Sequence, residues 1–381
     1  MRTICVVALA VGVGLLIWRH QDGNRQPLRA RGGQVTNQGV QVANPAKKAE
    51  PTQASAAPAT SVATALRRAA ARSAVFGRAD LENLRRHIAS LPTDAASREI
   101  RAALDTHADA ATGLGFKLSS NGTLTQAPTL RTFLLDQLAQ LDPKAAAAYA
   151  ERILSSPDSA DEWAVAMRSY ALARTDPESR VFLQRKFREM IAQDSWRSAP
   201  AVGFLESFDV AVHLGGTELL PDLTALIRDK NNQAVAHAAF LALDRLTINE
   251  PATTLAELQR QPDAMAGREA TRANFFARAN VGDPEQRTLI ENYLLDPKLN
   301  AVELQTFAGV FPNANYMVSP NLLTRVVTPD HVALAIRDRL SLDAVNQWLA
   351  DPRFVNVKPQ LQKVQQRLDM FVRQATAQTG Q

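Results

Sequence analysis

The chain has 381 residues, a formal charge of +5, 46% apolar residues and a single cysteine, Cys5. That length suits one large domain or two ordinary ones. A lone cysteine excludes a disulfide scaffold and a cysteine-based zinc site. The charge is uneven: Arg19 to Arg101 holds 14 Lys/Arg against 6 Asp/Glu, and Ala102 to Gln381 holds 28 against 32. A basic N-terminal portion points to anionic surroundings such as lipid headgroups or cell-wall polymers. The mildly acidic remainder argues against nucleic acid.

Ile4 to Trp18 is an uncharged apolar run of fifteen residues, flanked by Arg2 and by Arg19-His20. Its length lies between a signal-peptide core and a full span. No small-x-small cleavage site follows, and Trp18-Arg19 reads as an interface anchor. Residues 1–20 are therefore expected to form an uncleaved single-pass signal anchor. Arg19, Arg25, Arg29 and Arg31 lie beyond it and by the positive-inside rule favour retention of the C-terminal side. The short N-terminal tail favours the opposite, exported orientation, and the helical body is placed outside the cytoplasm on that ground.

Residues 21–65, rich in Gln, Ala, Pro, Asn and Gly, lack large apolar residues and periodicity. Such a segment buries too little surface to offset its ordering entropy, so a disordered tether is expected. A flexible chain of that length has an end-to-end distance of about 40 Å.

Residues 66–128 read as a basic helical segment. Leu81, Leu84, Ile88 and Leu91 line one helix face. Arg67, Arg68, Arg72, Arg85 and Arg86 fall beside such apolar positions and are candidate contacts for anionic lipid or wall polymer. Near 115–125 the helical period breaks. Phe116, Leu118 and Leu124 alternate with polar residues around Asn121-Gly122, a two-residue turn dipeptide, which predicts a small β-hairpin.

Residues 129–376 read as the main helical domain. Leu183, Phe187, Met190 and Ile191 form one stripe; Val332, Ala335, Ile336 and Leu340 another; Leu361, Val364, Leu368 and Phe371 a third. Each predicts a helix with a buried face. Asp142-Pro143, Asp176-Pro177 and Asp283-Pro284 put a capping carboxylate before a proline at the first helical position. Ser159 with Glu162, and Thr254 with Glu257, fit the capping box. Gly215-Gly216 reads as a stop.

The prolines at 143, 177, 221, 251, 284 and 329 recur at steps of 30 to 45 residues. Two-helix repeats have periods of about 34–47. From Pro143 to Arg373 the chain thus resembles a degenerate α-solenoid of HEAT- or TPR-like helix pairs. The TPR consensus of Trp, Gly, Tyr and Pro positions does not recur, so the resemblance is one of architecture. The fold expected is all-α, stacked antiparallel helix pairs with one small hairpin, and an irregular helical bundle is the alternative.

Glu206, Asp209 and His213 stand at i, i+3 and i+7 in FLESFDVAVHLGG, a spacing that suits acid–base chemistry or metal ligation on one helix face. Asp158, Asp161 and Glu162 make a second acidic group, in which helix capping explains the pattern. Phe311, Tyr316 and Met317, among Asn and Pro residues, suggest a loop with apolar tips able to contact a partner. HExxH, CxxC, GxSxG and phosphate-loop motifs are missing from the sequence, and neither cofactor nor metal is expected. The resemblance implies a non-enzymatic scaffold or adaptor with an extended surface for a protein or peptide. An envelope enzyme acting on wall polymers through Glu206, Asp209 and His213 is the alternative.

Overall fold

A computed structural model describes residues 61–70, 76–315, 319–325 and 329–379, all within one compact unit. The anchor at 1–20 and most of the stem lie outside the described residues. Among the described residues, no helix is long and apolar enough to cross a membrane. The last residues of the stem already belong to the fold: α1 (Val62–Ala70) starts there, with Val62 and Ala65 buried.

The described chain is mostly helical, with one two-stranded antiparallel hairpin. Next come α2 (Arg78–Ser90) and α3 (Thr93–Leu104), and α2 buries Leu81, Leu84 and Ile88 as their spacing requires. The hairpin pairs β1 (Lys117–Leu118) with β2 (Leu124–Gln126), opposing Leu118 to Leu124. Its turn is longer than the Asn-Gly dipeptide suggests. Ser119 N–H donates to the Thr123 carbonyl and Gly122 N–H to that of Ser119. Gly122 supplies the left-handed residue, at φ 80°. Phe116, Leu118 and Leu124 pack with α1 to α3 and with α4 (Leu130–Leu141) in an N-terminal core.

The remaining helices are α5 (Pro143–Ile153), α6 (Ala160–Ala173), α7 (Pro177–Ile191), α8 (Asp194–Ser198), α9 (Val202–Glu206), α10 (Asp209–Leu214), α11 (Leu220–Arg228), α12 (Gln233–Asn249), α13 (Pro251–Arg260), α14 (Glu269–Phe276), α15 (Pro284–Leu294), α16 (Ala301–Val310), α17 (His331–Ala350) and α18 (Lys358–Thr379). Short 3-10 turns follow α13 and α17. The Asp-Pro starts behave as read. Asp142 accepts from Ala145 N–H at 3.0 Å, Asp176 from Ser179 N–H at 2.8 Å and Asp283 from Gln286 N–H at 3.1 Å. Ser159 caps α6, but Glu162 turns inward to Arg131 instead of reaching back. Thr254 starts nothing: α13 begins at Pro251, and the Thr254 hydroxyl donates to the Leu246 carbonyl. Gly215 and Gly216, both at positive φ, end α10.

Neighbouring helices pack in pairs, α5 on α6, α11 on α12 and α17 on α18, and each pair meets the next through contacts such as α6–α9, α10–α12 and α13–α15. Polar ties cross these layers at a recurring separation. Arg131–Glu162, Arg168–Asp136, Arg188–Asp222, Arg245–Asp209, Arg278–Asp244 and Gly216–Glu250 link residues 31 to 36 apart. An aromatic column joins the later layers: Phe276 stacks on Tyr293 with ring centroids 4.2 Å apart, and the series continues through Phe307, Phe311, Trp348 and Phe354.

Two features depart from the sequence reading. Phe311, at the end of α16, is a core residue and not a loop tip, and residues 319–325 run back across the molecule and bridge its two cores. Leu322 is buried in the N-terminal core and Leu323 packs on the main one. Second, the first half of α17 has no buried residue, since its buried positions begin at Ser341. Val332 is 67% exposed, Ile336 56% and Leu340 40%. Their spacing is helical as expected; Leu340 lies against Gly282, while Val332 and Ile336 remain mostly exposed.

Candidate functional site

The helix expected to carry Glu206, Asp209 and His213 is broken. Between α9 and α10 the Val210 N–H donates to the Ser207 carbonyl and the Ala211 N–H to that of Phe208, which tightens the backbone into a kink. Phe208 anchors the kink, packed edge-on against Phe187 and Phe204 at 5.5 and 5.8 Å. A spacing of i, i+3, i+7 therefore no longer sets one face.

Asp209 is 2% exposed and fully engaged. Its carboxylate accepts the backbone N–H of Leu323 at 2.6 Å and of Thr324 at 2.7 Å, together with the Thr324 hydroxyl. Arg245 of α12 donates to it at 3.3 Å. Glu206 is half-buried next to this group. Desolvation raises its carboxyl above the ordinary glutamate range, Arg245 opposes the rise and Asp209 adds to it. His213 is exposed at the end of α10. Desolvation of its flank lowers the imidazole, Asp209 pulls it up and Arg180 pushes it down. Among the described residues no hydrogen bond joins the three side chains, and Asp209 holds residues 323 and 324 in place.

In the second acidic group Asp158 is exposed, and the other two are engaged in packing. Asp161 accepts the Gly203 N–H at 2.8 Å, and burial raises its carboxyl. Glu162 takes a bidentate contact from Arg131 at 2.9 and 3.0 Å. Among the described residues no group of three or more His, Cys, Asp or Glu could hold a metal ion.

Arg67 is exposed and donates to the Thr64 hydroxyl. Arg85 pairs with Glu82 at 2.6 Å and lies over the Phe133 ring, and Arg86 donates to the Asn83 side chain. Each partner on its own helix is three residues away. Arg85 lines a small cleft of about 130 Å³ with Leu81, Leu124 and Phe133. The Arg68 side chain and Arg72 lie outside the described residues. The expectation for Phe311 is overturned: it is 0% exposed, stacked on Phe307 and tilted against Trp348, and its carbonyl accepts from Arg367. A core aromatic of this kind cannot be a partner-facing tip. Tyr316 and Met317 lie outside the described residues.

The residues that gather around Asp209 were not legible from its own neighbourhood. Arg245, Leu323 and Thr324 stand 36, 114 and 115 positions away. One signal existed: Asp136 and Arg168, Asp209 and Arg245, and Asp244 and Arg278 pair at offsets of 32, 36 and 34. A search for carboxylate and arginine 32 to 36 residues apart finds them.

Set against protein families, curated proteins and solved structures, the chain finds no match in any of the three.

Proposed function

We propose that this protein is a non-enzymatic helical scaffold, tethered to a membrane by residues 1–20 and binding a protein or peptide partner in the cell envelope. The fold behind the proposal is a degenerate solenoid of helix pairs. The repeated ties at 31 to 36 residues support it, because successive helix pairs of similar length meet their neighbours at a similar chain separation, with the 319–325 segment as the exception. The anchor, the exported orientation and a contact of the basic stem with anionic lipid or wall polymer are carried by the sequence pattern.

The observation that carries the binding role is the stripe of Val332, Ile336 and Leu340 on α17. Three large apolar side chains at i, i+4 and i+8 on one exposed face are the anchor pattern of helix-mediated recognition. The test is proximity labelling from a C-terminal fusion that also carries a topology reporter. The double variant Val332→Asp, Ile336→Asp should fold normally, since exposed substitutions usually change stability by about 0.5 kcal/mol or less. Its labelled neighbours should lose those of the parent protein. An unchanged set of neighbours refutes the role of the stripe, and a cytoplasmic reporter refutes the orientation.

One observation favours the alternative, an envelope enzyme acting on wall polymers: the raised carboxyl of Glu206 suits a general acid. On that reading Glu206→Gln abolishes release of soluble fragments from isolated wall polymer.

A further inference from the structure

We propose that Gly122, Asp209 and Arg245 line a groove for a peptide segment of the partner, and that residues 319–325 occupy it in cis. The inference rests on the scaffold reading and names the partner's chemistry: a non-helical segment with an apolar residue two places before a threonine or serine.

Three features of the seating support this. First, it is read mostly through main chain. Asp209 takes two consecutive backbone N–H groups and one hydroxyl, and the carbonyls of Asn321 and Leu322 lie against Gly122 where any Cβ would collide. Main-chain bonds that supply affinity, with a pocket that supplies selectivity, are how domains take up peptides. Second, one side chain of the segment is taken into apolar surroundings. Leu322 is 1% exposed within the N-terminal core, none of whose other members is close to it in sequence. Arg245 reaches the Ser319 hydroxyl at 3.4 Å and marks the other end.

Third, the cis segment is an imperfect occupant. Asn321 is 1% exposed; its Oδ1 accepts from the Ser319 hydroxyl at 3.1 Å within the segment, while its Nδ2 has no hydrogen-bond partner. A buried unsatisfied donor weakens association by roughly tenfold or more. A partner carrying a small apolar residue at that place is free of the penalty. Against this, a segment in cis competes at an effective concentration on the order of millimolar. A partner peptide is therefore captured well only when the segment has been displaced.

The test uses the full chain with residues 319–325 replaced by seven Gly/Ser residues. The probe is a labelled synthetic peptide of the sequence Ser319 to Arg325. We expect binding with one-to-one stoichiometry. Asp209→Asn in the protein, or Leu322→Ala in the peptide, should weaken it at least tenfold, and Asn321→Ala in the peptide should strengthen it about tenfold. The proposal is overturned if the replaced protein keeps its helix content and cooperative melting yet does not bind, or binds without regard to Asp209. If that protein does not fold, hydrogen exchange on the unaltered chain decides. Amides of Leu323 and Thr324 that exchange at least tenfold faster than those of Val212 and Leu214 support a displaceable segment. Equal protection means that the segment leaves only on global unfolding, and the proposal falls. None of these measurements involves the α17 stripe, so the scaffold reading stands or falls separately.

Discussion

Arg168→Ala is the substitution with the largest consequence for a single ion pair. Arg168 and Asp136 meet at 2.6 Å with side chains 3% and 1% exposed. Arg168 also donates to the Gly122 carbonyl, while Asp136 accepts from the Leu124 N–H and from Gln140. Truncation leaves a carboxylate in a site from which water is excluded. Breaking a buried pair from one side costs about 3–5 kcal/mol. The lost bond to the hairpin places this case in the upper half of that range. A domain of this size has a total stability of about 5–15 kcal/mol, and each kcal/mol moves the melting point by about 1.5 °C. The melting point should therefore fall by about 6–8 °C in a circular-dichroism melt, with a matching loss in urea titration. The double variant Asp136→Asn, Arg168→Met removes both charges and keeps an acceptor for Leu124. It should lose about half as much. A loss below about 1 kcal/mol for Arg168→Ala would equate the pair with a screened surface bridge. A double variant worse than the single would show that the stranded charge is not the cause. Either result refutes the reasoning.

Two further predictions concern pH and packing. Glu206 has a raised carboxyl in the folded state, so the folded protein holds that proton more tightly than the unfolded chain. Its contribution is therefore a cost at neutral pH, relieved as pH falls toward the ordinary glutamate range. Glu206→Gln should raise the melting point at pH 7 and make no difference at about pH 4; an equal gain at both values would exclude titration as the cause. Trp348 is 2% exposed, packs at a tilt between the rings of Phe311 and Phe354, and donates to Glu291 of α15 at 2.9 Å. Trp348→Ala should cost about 3–5 kcal/mol in urea titration, and a loss near zero would mean that the aromatic column does not hold the C-terminal helices.

How much of this was readable differs from one element to the next. The stripes on α2, α7 and α18 were, because a helix that must bury one face shows that face at fixed spacing. The hairpin's place was readable and its turn type was not: the Asn-Gly dipeptide suits more than one loop, and contact with Leu322 bears on which forms. The same apolar spacing on α17 misled, because periodicity reports that a face exists and says nothing about what covers it. The acid cluster misled for a related reason. A kink held by Phe208 packing against Phe187 and Phe204 changed the geometry that i, i+3, i+7 assumes.

The sequence by itself determined some helix ends: the starts at Asp142, Ser159, Asp176 and Asp283 and the stop at Gly215-Gly216. An Asp-Pro cap or a Gly-Gly stop acts on backbone groups within a few residues, so its full cause lies in the local chain. Only the tertiary structure decided the fate of Asp209, of Phe311 and of the 319–325 segment. Their partners stand tens to more than a hundred residues away, and a burial or hydrogen bond of that kind exists only after the layers have stacked.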